Sequence, residues 1–397
     1  MDSAHGSGET NTQKAETRLV TAGRDTKAQK GFVNPPVVHG STVLYPTAED
    51  LHAHRSEYQY GRHGTPTTRA LQDTLMELEG PRCAGVGLAP SGLAAISTTL
   101  LAVCKAGDHI LVCDNVYRPS RNFCNGLLAR YGVETTYFDP LIGGSIEKLF
   151  KPNTRAVLVE APGSQSFEMP DLPAIATVAH GRGALVIDDN TWATPLYHRS
   201  LELGADISMQ AATKYVGGHS DIMFGTISAN AATWPLVSEA IRLLGICAGP
   251  DDVFLALRGT RTLAVRLAQH YRSGLEMARW LATRPEVAKV LHPGLEDNPG
   301  HAIWKRDFTG ASGLFSVVLK PKPQAAVDAM LDSLTLFGMG FSWGGFESLA
   351  IPFDCADYRT ATRWAPEGPT LRLHIGLENV DDLKADLDRG FAVFNAA

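Results

Sequence analysis

The sequence predicts an α/β protein, with a mostly parallel sheet in a large domain and a smaller α+β domain towards the C-terminus. Three observations carry that prediction. Between residues 84 and 229, short apolar runs alternate with helical segments, the pattern of a parallel sheet covered by helices on both faces. Two of those runs end in polar residues that a core would not choose: residues 183–189 close on Asp188 and Asp189, and residues 207–212 deliver Thr213 and Lys214. Strands of this kind open on a ligand crevice at their carboxyl ends. Finally, a chain of 397 residues exceeds the roughly 250–300 at which one core stops growing, so a second domain is expected.

In chain order, residues 1–16 are polar and without periodicity, and are expected to be a disordered tail. Residues 31–60 carry prolines and aromatics but little regular pattern, which suits an arm packed on a neighbouring subunit. The expected division is tail and arm over 1–60, a large domain over 61–258 and a small domain over 259–397. Tyr60-Gly61-Arg62-His63-Gly64 holds a fixed cation in a glycine-flexible stretch. Alone, it reads either as a solvated loop or as a phosphate ligand. Residues 68–79 suggest an amphipathic helix with Leu71, Leu75 and Leu78 on one face, ended by Gly80-Pro81. Residues 84–89 suggest a strand, followed by Pro90-Ser91-Gly92-Leu93 and a helical run to Val103. A strand, a small-residue turn and a helix N-terminus attract phosphate through free amides and the helix dipole. The third glycine falls at 92 rather than 90 and no Gly-Lys-Ser/Thr follows, so neither a dinucleotide fingerprint nor a nucleotide P-loop is present.

Strands are expected at 110–113, 135–138, 156–160, 183–189, 207–212 and 225–228, with helices at 119–131 and 173–180. The pattern changes around 249–258. Residues 260–283 then form one long helical stretch with Leu263, Leu267, Leu275, Ala278 and Leu281 as its apolar stripe. Strands at 287–291, 313–319 and 371–375 and helices at 324–334 and 380–394 would make a small antiparallel sheet with helices on one side.

Composition narrows the functional classes. With 44% hydrophobic and 20% charged residues and a net charge of -6, the chain is ordinary globular protein with no basic surface for nucleic acid or anionic membrane. No apolar run approaches the roughly 20 residues of a membrane span, and a cytoplasmic protein is expected. The six cysteines form no Cys-x-x-Cys pair and the thirteen histidines no His-Glu-x-x-His, so no metal site is expected.

The chemistry gathers at Lys214. An ammonium at the end of an apolar strand either reaches water or has a depressed pKa, an anionic partner or a covalent role. Pyridoxal 5'-phosphate (PLP) is the common cofactor that takes a lysine amine in a dry pocket, as a Schiff base. It needs a carboxylate against its ring nitrogen, and Asp189 ends a strand about one crossover upstream of Lys214. Tyr117 falls just past a strand end and reads as a loop anchor or as a ring facing the crevice. In the small domain, Phe341-Ser342-Trp343-Gly344-Gly345 is too rich in glycine and aromatics for plain packing. Arg372 interrupts an alternating strand with a fixed charge, either towards solvent or as a fork for a substrate carboxylate.

The order Asp189, Thr213, Lys214, followed by Tyr215-Val216-Gly217-Gly218-His219-Ser220, closely resembles the active-site signature of the cysteine and methionine metabolism family of PLP enzymes. The likeness runs from about residue 31 to 394. It implies the aspartate aminotransferase-like architecture known as fold type I, with PLP held by Lys214, Asp189, Thr213, Gly92 and Leu93. It further implies that Tyr117 stacks on the cofactor ring and that Tyr60 and Arg62 reach across a dimer interface to the cofactor phosphate of the other subunit. Lys214, Tyr117 and Tyr60 would be catalytic, and Arg372, with Ser342 and Trp343, would bind the substrate carboxylate. A homotetramer built as a dimer of dimers is the implied assembly.

Ser342-Trp343-Gly344 is typical of the family's beta-eliminating members, whereas gamma-acting relatives commonly have leucine at the Trp343 position. The resemblance departs at His63, Asn122 and Phe341, where close bacterial relatives have arginine, aspartate and tyrosine. The expected reaction is beta-elimination of L-cystathionine or another cysteine S-conjugate to a thiol such as homocysteine, pyruvate and ammonia, a step of methionine biosynthesis. The alternatives are a gamma-lyase or gamma-synthase of the same family, a PLP aminotransferase, or a non-enzymatic scaffold. The last would leave Lys214, Asp189 and Arg372 unexplained.

Overall fold

The computed structural model describes residues 13–397. The expected tail therefore lies largely outside the described residues. Its last part enters the helix Ala15–Thr21, which buries Leu19 and is tied down by Arg18 to Glu77 at 3.0 Å and by Arg261 to the carbonyls of Leu19 and Ala22. The following stretch to Tyr60 holds one short helix, Ala48–His52, and leaves Phe32, Val33 and Leu44 exposed.

Seven strands form the large sheet: β1 (Gly85–Ala89), β2 (His109–Cys113), β3 (Glu134–Phe138), β4 (Thr154–Glu160), β5 (Leu185–Asp189), β6 (Ile207–Gln210) and β7 (Gly225–Ala229). Their order is β1-β7-β6-β5-β4-β2-β3. From β3 through β6 every pairing is parallel, while β7 runs antiparallel to both β6 and β1. Continuous apolar runs such as Ile110–Cys113 work here because the sheet is buried on both faces; every residue of β2 is buried.

Helix starts follow their caps. Thr65 and Thr68 make a reciprocal capping box with Pro66 at the first turn of Pro66–Glu79, and the Ser91 side chain accepts the Ala94 amide to open Gly92–Val103. The segment expected as one helix over 119–131 is instead Arg118–Phe123 running into a π-helical turn, Cys124–Leu128.

The long helix is Pro250–Ala282, so it begins earlier than the stretch expected over 260–283. The border expected at 258/259 falls inside it. Two acids in its first turn, Asp251 and Asp252, behind Pro250, are a start signal that outweighs its weak early periodicity. Beyond it, β8 (Val287–Leu291), β9 (Leu314–Leu319), β10 (Leu349–Pro352) and β11 (Thr370–His374) make an antiparallel sheet in the order β10-β11-β9-β8. The strand β10 was not anticipated, being only four residues long and proline-ended. The helices Gln324–Ser333 and Val380–Ala396 share its apolar core through Met330, Leu331, Leu387 and Phe391.

Candidate active site

β5 and β6 are parallel neighbours with Asp189 in register with Met209, so their carboxyl ends bring Asp189 and the Lys214 turn to one place. The turn is anchored from behind. Gly218 donates to the Lys214 carbonyl at 2.7 Å, and the buried Arg266 donates to the carbonyls of Tyr215 at 2.8 Å and Gly259 at 2.7 Å. Gly218 has φ +73, and a Cβ there would lie 1.9 Å from the Arg266 guanidinium; only glycine fits.

Lys214 points into a crevice closed by the other lobe. Its Nζ donates to Ser342 Oγ at 2.5 Å and lies 5.3 Å from the Trp343 ring centroid. Burial, then the nearby Arg372 charge, pull its pKa down to about 8, with Asp189 opposing. Ser342 has φ +83 and Gly344 φ +87, and His374 Nε2 bridges this bend, 3.2 Å from the Gly344 amide and 3.1 Å from the Gly345 carbonyl. Burial holds His374 well below its usual pKa, and in the neutral ring Nε2 serves one of these two groups, accepting from the amide or donating to the carbonyl according to the tautomer.

Asp189 is buried, and both its hydrogen bonds, from the Thr191 amide at 3.1 Å and hydroxyl at 2.5 Å, fall on Oδ1. Oδ2 is left for a partner in the crevice. Burial raises Asp189 to about 6, with the Thr191 bonds pulling the other way.

Beside it stands Glu160, its register partner on β4. Burial, followed by the Asp189 charge, pushes Glu160 well above the carboxylate range. Glu160 Oε2 accepts the Tyr117 amide at 2.6 Å. The Tyr117 phenol is raised by burial and then by Glu160 and Asp189, against Arg372, which places these groups within electrostatic reach of one another. Arg372 donates to the Ser342 carbonyl at 3.0 Å, and among the described residues no carboxylate pairs with it. Burial lowers it to about 10. A half-buried guanidinium in that condition is a site for an incoming anion.

Gly92 brings the start of its helix hard against the Lys214 turn: a Cβ there would lie 2.5 Å from the Ala211 Cβ. Ser91 takes the amides of Ala94 and Ala95, so those of Gly92 and Leu93 remain at the open end. The Thr213 hydroxyl accepts the Phe224 amide at 2.9 Å on the same turn.

Lys214, Asp189, Tyr117, Arg372, Ser342, Trp343, Thr213 and Gly92 thus come together. Tyr60 and Arg62 do not join them within one chain. Arg62 donates to the Arg242 carbonyl at 3.0 Å, and Tyr60 packs edge-on to His63. Arg62 and His63 line a separate cavity of about 260 Å³ shared with Gln72, Trp234 and Arg242. Glu160, Arg266 and His374 were missed from the sequence. Glu160 carried a usable signal, since it ends an apolar strand just as Asp189 does; the other two carried none.

The donor set fits PLP: a half-buried amine, a carboxyl oxygen without a bond, a helix N-terminus with open amides, and a guanidinium without a carboxylate partner, free for that of a substrate. Together with the two-lobed architecture it defines the class, a fold type I PLP-dependent enzyme. The sequence profile of the Cys/Met metabolism PLP-dependent enzymes matches residues 16–392, and the chain belongs to that family. A protein of Rhizobium johnstonii is 53% identical over 384 residues, covering 96% of each chain. The cystathionine beta-lyase of Salmonella typhimurium is 46% identical over 391 residues, 96% of this chain and 98% of that one. Among solved structures, a cystathionine gamma synthase from Xanthomonas oryzae in complex with aminoacrylate and cysteine superposes with a TM-score of 0.89 at 32% identity, covering 97% of this chain and 99% of the other.

Proposed function

We propose that the protein is a carbon–sulfur lyase that eliminates the sulfur substituent from the beta carbon of L-cystathionine, or of another cysteine S-conjugate, to give a thiol such as homocysteine, pyruvate and ammonia. The observation that carries this reading is the pairing of Lys214 with Ser342 and Trp343 of the other lobe, the segment expected of beta-acting members. The 46% identity to a cystathionine beta-lyase supports it.

When bound, PLP supplies an electron sink through its protonated ring. The chain's own groups do the rest. Lys214 holds the cofactor, and its amine, already lowered to about 8, takes the proton from the substrate's alpha carbon near neutral pH. The ammonium so formed can return that proton to the departing sulfur. Asp189 Oδ2 would keep the ring nitrogen protonated, and Tyr117 would cover the ring face. The Gly92 and Leu93 amides and Thr213 receive the phosphate, while Arg372 and Ser342 fix the substrate carboxylate.

Tyr60 and Arg62, turned away from Lys214 of their own chain, complete the phosphate site of a second subunit. Exposed Phe32, Val33 and Leu44 on the preceding arm support its packing on a neighbour. The assembly is a homotetramer, a dimer of dimers, in the cytoplasm. Among the described residues no helix is long and apolar enough to cross a membrane.

The likeness to a gamma synthase favours one second reading, gamma chemistry on the same scaffold. Product identification separates the two: pyruvate from cystathionine is expected, and 2-oxobutanoate in its place would overturn the beta assignment.

A further inference from the structure

After β10 the chain leaves the C-terminal lobe and lies across the large one. The loop is closed at its base, where the Phe353 and Trp364 rings pack 5.6 Å apart and the Phe353 amide donates to the Thr370 carbonyl at 3.1 Å. Residues 353–364 therefore form an Ω-shaped excursion. Near its far end the amides of Thr360, Ala361 and Thr362 donate to the carboxylate of Asp114 at 3.0, 3.1 and 2.8 Å, and the Thr362 hydroxyl does so at 2.8 Å.

Asp114 is fully buried, and two buried guanidiniums close around it, Arg121 at 2.5 Å and Arg359 at 3.4 Å. Arg359 goes on to Glu168 at 2.8 Å and Ser166 at 3.2 Å. On the outer side Arg118 pairs with Asp357 at 2.6 Å, and the Tyr358 hydroxyl donates to Gln165 at 2.9 Å.

All these large-lobe partners come from the segments after β2 and after β4. The same segments hold Tyr117, which precedes the helix Arg118–Phe123 and gives its amide to Glu160 at the end of β4. Elsewhere the lobes meet through an apolar core shared by Trp192, Phe308 and Leu314 and through separate polar contacts such as Ser220 to Glu347 at 2.6 Å, none of them, among the described residues, gathered round a buried carboxylate as here. A surface cover needs no buried charge, and removing one partner leaves its neighbours buried and unpaired. A network of this kind is made or broken as a unit.

We infer that residues 353–364 are a strap by which the lobe bearing Arg372 fixes the Tyr117 segment, with Asp114 and Arg359 as positioning residues. The effect on catalysis rests on the role given to Tyr117 above; failure of that wider reading would show in the unaltered protein, as absence of pyruvate.

The test is hydrogen–deuterium exchange on the cofactor-loaded protein, with steady-state kinetics, for Asp114→Asn and Thr362→Val. The second variant removes a single hydroxyl donor and guards against a fold lost in the first. In both, amides of residues 114–123 and 355–362 should exchange faster while β9 and β11 keep their protection, by about tenfold for Asp114→Asn and less for Thr362→Val. The turnover number kcat should fall in step, by about tenfold for Asp114→Asn, with KM within about twofold. A strap that loosens without the Tyr117 segment would overturn the inference. So would acceleration spread evenly through both lobes, or an unchanged kcat.

Discussion

The Lys214 amine is the residue on which the chemistry turns, and its pKa of about 8 has two separable causes. Burial disfavours the ammonium, and the Arg372 guanidinium adds repulsion, while Asp189 attracts. In protein stripped of cofactor, acetylation of Lys214 followed by peptide mass spectrometry should therefore rise with a midpoint near 8, well below that of an ordinary lysine. Arg372→Leu removes a neighbouring positive charge, so the midpoint should move up. Asp189→Asn removes a stabilising negative charge, so it should move further down. Coincident midpoints in all three proteins would mean that the two charges do not reach the amine. The residues found from sequence, Lys214, Asp189 and Arg372, are ionisable groups in or just past runs that should be apolar strand. His374 and Arg266 escaped because their partners, Gly344 and Tyr215, are distant along the chain and are bound through backbone atoms that every residue has.

At the level of elements, the bend from Ser342 to Gly345 sets the distance between the lobes' catalytic parts. Gly344 sits at φ +87, and a Cβ there would lie 2.9 Å from the Lys214 Cα. Gly344→Ala therefore meets both backbone strain and a clash with backbone that cannot swing aside. The cost should be about 1–3 kcal/mol, seen as a lower melting temperature, with loss of activity exceeding the loss of folded protein because Lys214 is displaced. A variant with unchanged melting temperature and activity would show that the bend is adaptable. The sequence suggested that this stretch was chemical but offered no hint of its bend, since Ser342 adopts a positive φ that its identity does not predict. The helix at 118–128 taught the same lesson: its periodicity was legible, its π-helical turn was not.

For the whole molecule, Arg62 bonds to the Arg242 carbonyl of its own chain and stays apart from its own Lys214. If it serves a second subunit, two inactive variants should complement each other. Mixing Arg62→Ala with Lys214→Ala protein under conditions of subunit exchange should restore activity at about one site in four, the share of intact sites expected from random pairing. No recovery after demonstrated exchange would place each active site within one chain. The helix Pro250–Ala282 shows the limit of reading at this scale, for it starts earlier than the stretch over 260–283 that the sequence suggests. Its first turns bury Val253, Ala256 and Leu257 at helical spacing, but the unbroken apolar run 253–257 hides that period in the sequence, and the acidic start is the clearer helix signal.

What the sequence determined by itself was the alternation of strands and helices, the carboxyl-end placement of Asp189 and Lys214, and the family signature, all of which depend on residues close together in the chain. Only the tertiary structure decided which groups face Lys214 from the other lobe, how Glu160 supports Tyr117, and that Asp114 gathers residues 360–362. Those pairings join positions more than forty and up to about two hundred and fifty residues apart. They arise from the packing of two lobes whose surfaces no local pattern encodes.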